Sequence, residues 1–102
     1  MRPIPPKLRE EMTSDPYYKS CVVGGECDGR IEFHHNLIYG GRQVNEKFCI
    51  LPLCHYHHAH IAYFKEHVDR IMLNRATDEE LRRYSKATDY IALRDRLNLR
   101  SL

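Results

Sequence analysis

Six of the chain's seven histidines fall between positions 34 and 60, in two clumps: His34-His35, and His55-Tyr56-His57-His58-Ala59-His60 directly after Cys54. Imidazole near neutral pH takes a proton or binds a divalent metal, and few other side chains do either. The density constrains the fold. Two adjacent histidines on one segment and a Cys-x-x-His-His on another supply enough ligands for a metal and leave a spare base. Surface filler does not account for such a segment, and it points to chemistry.

With 102 residues the chain is expected to form one small domain, 1–102, of a size that often recruits a metal as a staple. The hydrophobic fraction of 42% permits a core, and 29% charged residues keep it in solution. A net charge of +2 does not by itself announce nucleic acid. The start, Met1-Arg2-Pro3-Ile4-Pro5-Pro6, is broken by prolines and lacks the apolar stretch of a signal peptide. No run reaches the length of a membrane span. These features predict a cytoplasmic protein with no membrane partner, in which four cysteines serve as metal ligands or free thiols rather than disulfides.

The expected organisation is α+β. Residues 1–6 read as an extended, weakly ordered arm, and Lys7–Met12 as a short helix ended by Asp15-Pro16. Cys21-Val22-Val23-Gly24-Gly25-Glu26-Cys27-Asp28-Gly29 is a glycine-rich loop bracketed by two cysteines. Alternation in Arg30-Ile31-Glu32-Phe33-His34 predicts a strand with Ile31 and Phe33 on one side, Glu32 and His34 on the other. After a loop from Asn36 to Glu46, Lys47–Leu53 reads as a second strand, which Pro52 confines to an edge. The two would pair as an antiparallel hairpin with a long loop. From His55 the pattern turns helical, with Ile61, Phe64, Val68, Ile71 and Met72 at three- or four-residue steps. Thr77-Asp78-Glu79-Glu80 is a capping box that starts another helix at Asp78, with a break near Ala87-Thr88.

Spacing separates two ligand sets. Cys54-x-x-His57 presents a thiolate and an imidazole from one strand–helix junction, half of a tetrahedral zinc site. Cys21 and Cys27 can complete it from the glycine-rich loop, or remain free thiols; Cys49 reads as a small buried residue. The second set is His34, His35 and His58. Neighbours on a strand point to opposite sides, so one of His34 and His35 can bind a metal while the other takes a proton from water. His57 and His58 are about 100° apart on a helix, so His58 can face the hairpin while His57 serves the zinc. His55, His60 and His67 read as solvated helix residues.

Ile31-Glu32-Phe33-His34-His35, a loop containing Asn45, and Leu51-Pro52-Leu53-Cys54-His55-Tyr56-His57-His58 together resemble the HNH endonuclease motif. The likeness covers residues 21–62, and the Tyr39–Glu46 loop and the chain after it are similar to small phage or prophage members with a zinc clamp. It implies a ββα-metal core over 21–62 with a helical extension over 63–102. It also implies His35 as the general base, Asn45 as the residue that orients it, and His34 and His58 as ligands of a catalytic divalent ion (Mg, Mn, Ni or Zn). Cys21, Cys27, Cys54 and His57 would hold a structural zinc. Arg42, in the Gly-Gly-Arg loop, reads either as a contact to DNA phosphate or as an ordinary surface residue. Many members carry their asparagine five residues before the junction cysteine, where this chain has Cys49, and some place a further histidine where it has Ala62. Glu32 would assist the metal site only if its strand bulges. Two histidines alone favour an ion softer than Mg²⁺.

The expected function is metal-dependent hydrolysis of DNA phosphodiester bonds. The alternative is a non-catalytic zinc module of the same fold that binds nucleic acid or protein. An apolar C-terminal helix leaves a homodimer or a protein partner open. Arginines 82, 83, 94, 96 and 100 suit either a DNA backbone or pairing with the acidic residues of their own helices.

Overall fold

The computed structural model describes residues 3–100, without the side chain of Arg100. Helix α1 (Pro6–Ser14) and a 3₁₀ turn (Pro16–Lys19) lead into the cysteine loop. Strand β1 (Ile31–His35) is followed by two short strands, β2 (Ile38–Tyr39) and β3 (Arg42–Gln43), then by a 3₁₀ turn (Lys47–Cys49) and β4 (Ile50–Cys54). Helices α2 (His55–Ala59), α3 (Ile61–Arg75), α4 (Asp78–Tyr84) and α5 (Tyr90–Arg100) complete an α+β arrangement.

The expected hairpin is β1 antiparallel to β4, with Ile31 opposite Cys54 and His35 opposite Ile50. Every residue of β4 is buried, which explains its unbroken apolar run. Leu51 and Leu53 join the larger core with Val68, Met72 and Leu73 of α3, Leu81 of α4 and Leu97 of α5. Ile50 belongs to a second, smaller cluster with Ile4, Met12 and Tyr18. The sheet is therefore covered on both sides. Pro52 is tolerated because the sheet has two strands, and its carbonyl accepts a hydrogen bond from the Val22 N–H at 3.0 Å.

Several expectations need correction. Within the expected weakly ordered arm of residues 1–6, Ile4 is buried and Pro6 already opens α1, whose first turn tolerates proline; residues 1 and 2 lie outside the described residues. The Asn36–Glu46 loop contains a small hairpin, β2 with β3, turned by Gly40 and Gly41 at positive φ. The second strand starts at Ile50 and not at Lys47, because Lys47–Cys49 wind into a 3₁₀ turn. The helix expected from His55 is interrupted at His60, whose ψ of 29° caps α2 and starts α3. The capping box forms as read: Thr77 accepts from the Glu80 N–H at 3.1 Å while the Glu80 carboxylate accepts from the Thr77 N–H at 2.9 Å.

Candidate metal centre and histidine site

Cys21, Cys27, Cys54 and His57 converge, and their ligand atoms all lie within 4.8 Å of one another. His57 Nδ1 is 3.2 Å from the sulfur of Cys54, 3.4 Å from that of Cys21 and 3.7 Å from that of Cys27. Zinc bonds of about 2.3 Å to sulfur and about 2.0 Å to nitrogen at tetrahedral angles put sulfur and nitrogen about 3.5 Å apart. The three nitrogen–sulfur spacings fit a tetrahedral zinc site. Burial and the neighbouring Cys54 and Cys21 sulfurs push the Cys27 thiol up to about 11. Against its own desolvation, Cys54 is held below the usual thiol value by the backbone N–H groups of His57 and Asp28. Three sulfurs this close repel one another as thiolates, and a divalent cation removes that repulsion. The donor set fits structural zinc.

The backbone explains why a five-residue gap between Cys21 and Cys27 works. Gly24 and Gly25, at φ of 73° and 70°, turn the loop back on itself. Gly29, at φ 83°, lets the loop pass the start of α2: a β-carbon there would lie 2.6 Å from His55 Cβ. The contact is sealed by hydrogen bonds from the N–H groups of His55 and Tyr56 to the carbonyls of Arg30 and Asp28. Gly29→Ala is expected to lower stability by about 1–3 kcal/mol, read by thermal melting, because the added methyl must displace α2 from the cysteine loop.

The other histidines divide as strand alternation demands. On one side of β1, His34 and His58 approach edge to face with ring centroids 5.1 Å apart. Glu32 stands on the same side, two residues before His34, and the β1–β4 register runs without a break, so no bulge is needed. Its Oε1 accepts from His58 Nδ1 at 2.7 Å and its Oε2 from His55 Nδ1 at 3.0 Å. These bonds from His55 and His58 hold the Glu32 carboxyl below its ordinary range. They also place a proton on His58 Nδ1, which in the neutral ring leaves the lone pair on Nε2. Burial pulls the His34 pKa down, and its neighbours His58, Lys65 and His35 add to this, against the opposing bond to Asn36. His55 is thus more than a solvated residue.

His35 faces the other way. Its Nε2 lies 2.7 Å from Asn45 Oδ1, and the Asn45 amide donates to the Pro3 carbonyl at 3.2 Å. A carbonyl only accepts, so that second bond fixes which end of Asn45 meets the histidine. His35 Nε2 therefore donates, which in the neutral ring leaves the lone pair on Nδ1. Cys49, at the position where the HNH resemblance would place an asparagine, is buried with its thiol directed at the Val44 and Glu46 carbonyls, and burial pushes it up to about 12.

Arg42 is exposed on β3. Arg83 pairs with Glu46 at 2.6 Å and Arg94 with Asp78 at 2.8 Å, so these two join separate elements. Two residues that sequence reasoning did not place in a site are Asn36 and Asp69. Asn36 is buried beside His34, and Asp69 shares a helix face with Lys65 at i,i+4. That Lys–Asp spacing was the available signal, although it also occurs on ordinary solvated helices.

No family model matches the chain, and neither curated proteins nor solved structures give a significant match. Among the described residues no helix is long and apolar enough to cross a membrane.

Proposed function

We propose that the chain is a metal-dependent DNA endonuclease of the HNH type, built on a ββα-metal core of β1, β4 and α2. The carrying observation is the His35–Asn45 pair at 2.7 Å. It leaves His35 Nδ1 as a free base held in one tautomer at the end of a strand, the arrangement a general base needs. Asn45 takes the role of the asparagine that stands elsewhere in many members. His34 and His58 supply two imidazoles on the other face of β1, and would hold the catalytic divalent ion. Bound there, that ion would polarise the scissile phosphate and stabilise the leaving oxygen. Within the chain, His35 Nδ1 takes the proton of the attacking water, Asn45 keeps the ring in register, and Glu32 orients His58. The cysteine cluster acts at a distance, by fixing the start of α2 on which His58 sits.

The zinc-loaded chain is expected to relax supercoiled plasmid when Mn²⁺, Mg²⁺ or Ni²⁺ is added, and chelation of the added ion should stop it. Failure with every ion would favour the second reading, a non-catalytic zinc module that binds nucleic acid or a partner protein. One observation favours that reading: among the described residues only the cysteine cluster gathers three or more metal ligands.

A further inference from the structure

His34 is tied to helix α3 through a chain of side chains. Its Nε2 lies 2.9 Å from Asn36 Oδ1. The same oxygen accepts from Lys65 Nζ at 3.3 Å, and Asn36 Nδ2 donates to Asp69 Oδ1 at 2.9 Å and to Met72 Sδ at 3.4 Å. Lys65 and Asp69 pair with each other across one turn of α3. Both lone pairs of the Asn36 oxygen and both amide protons are therefore used. Asn36 is 7% exposed, and its own N–H donates to the Cys49 carbonyl at 2.9 Å, so the residue is anchored between β1 and β4.

The orientation of that amide has one solution. Turned over, its oxygen would face the Asp69 carboxylate, and its nitrogen would face the Lys65 ammonium. Two acceptors and two donors would then oppose each other in a buried place, at a cost of several hydrogen bonds. Asn36 must present oxygen to His34. An amide oxygen only accepts, so His34 Nε2 must carry the proton.

We infer that Asn36, with Lys65 and Asp69 behind it, is a positioning residue that sets the tautomer of His34 and makes Nδ1 its metal-binding atom. Glu32 does the converse for His58, through Nδ1, leaving Nε2. The pair thus offers one nitrogen of each kind. Helix α3 contributes to the site although none of its residues is a ligand, and the relay is made of groups that HNH-type roles do not call on. The metal role rests on the proposed function; the tautomer assignment stands without it.

The test uses the full zinc-loaded chain, ¹⁵N-labelled, with imidazole nitrogens observed by NMR and His34 assigned by its loss in His34→Gln. The expected spectrum shows His34 protonated at Nε2. In Asn36→Leu the ring should lose this preference and become a mixture, and Ni²⁺ binding followed on the His34 and His58 signals should weaken about 10–100-fold. Asp69→Asn, at a partly exposed position of α3, gives a second variant should Asn36→Leu unfold; it frees the Asn36 amide to turn and should shift the His34 tautomer ratio. Protonation at Nδ1 in the wild type, or an unchanged ratio in both folded variants, would overturn the inference. A correct tautomer in a chain that cuts no DNA with any ion would leave the relay standing and remove the nuclease instead.

Discussion

His35→Ala is expected to reduce plasmid nicking at least ~100-fold, because a positioned general base contributes roughly 10²–10⁴-fold to proton transfer. The loss should appear in the rate at saturating divalent ion, since His35 lies on the opposite side of β1 from His34 and His58 and holds no metal in the proposed site. Its ring contributes little to folding: it is half-buried at the end of a strand and bonded to a loop residue. Melting temperature and zinc content should therefore stay close to those of the wild type. Asn45→Ala should slow nicking less, because it frees the ring to change tautomer but leaves the base in place. Wild-type activity in His35→Ala would remove the assignment.

Cys54→Ser is expected to have the largest effect on stability. Cys54 ends β4, caps α2 by accepting the His57 N–H at 3.4 Å, and is buried at the centre of the cluster. Structural zinc contributes apparent binding energies of about 10–16 kcal/mol in small domains, so a cage with one ligand lost gives up a substantial part of that. Even a net loss of about 3 kcal/mol would lower Tm by roughly 12–24 °C in a chain this short. Zinc content by elemental analysis should fall below one per chain, and chelation of the wild type should reproduce the thermal effect. Cys49→Ser should retain its zinc, since Cys49 lies outside the cluster. A Cys54→Ser protein that keeps one zinc and the wild-type Tm would show that the sulfurs are free thiols.

The sequence carried these sites unevenly, for physical reasons. Strand alternation separates Glu32 and His34 from Ile31, Phe33 and His35, and the fold keeps that separation. The Thr77–Glu80 capping box is a local signal and forms locally. The cysteine cluster was only half legible. Cys54-x-x-His57 is one turn of chain, whereas Cys21 and Cys27 depend on glycines at positive φ that carry the loop to α2. The bonds of Glu32 are not legible from alternation alone, because they depend on α2, which brings His58 and His55 within reach of its carboxylate. Asn36 was invisible for a different reason. Its partners Lys65 and Asp69 lie about thirty residues away, and their i,i+4 pairing looks the same on any solvated helix. The break at His60 carries no proline or glycine to announce it.

In the proposed function the histidine site acts on phosphodiester bonds with an ion of its own, separate from the zinc of the cysteine cluster. The deciding measurement is the plasmid-nicking rate of the zinc-loaded chain as Mn²⁺ is titrated in. The rate should rise from near zero and saturate while zinc stays at one per chain. A rate that stays at zero throughout, or one already full with zinc alone, would rule out a separate catalytic ion at the histidines.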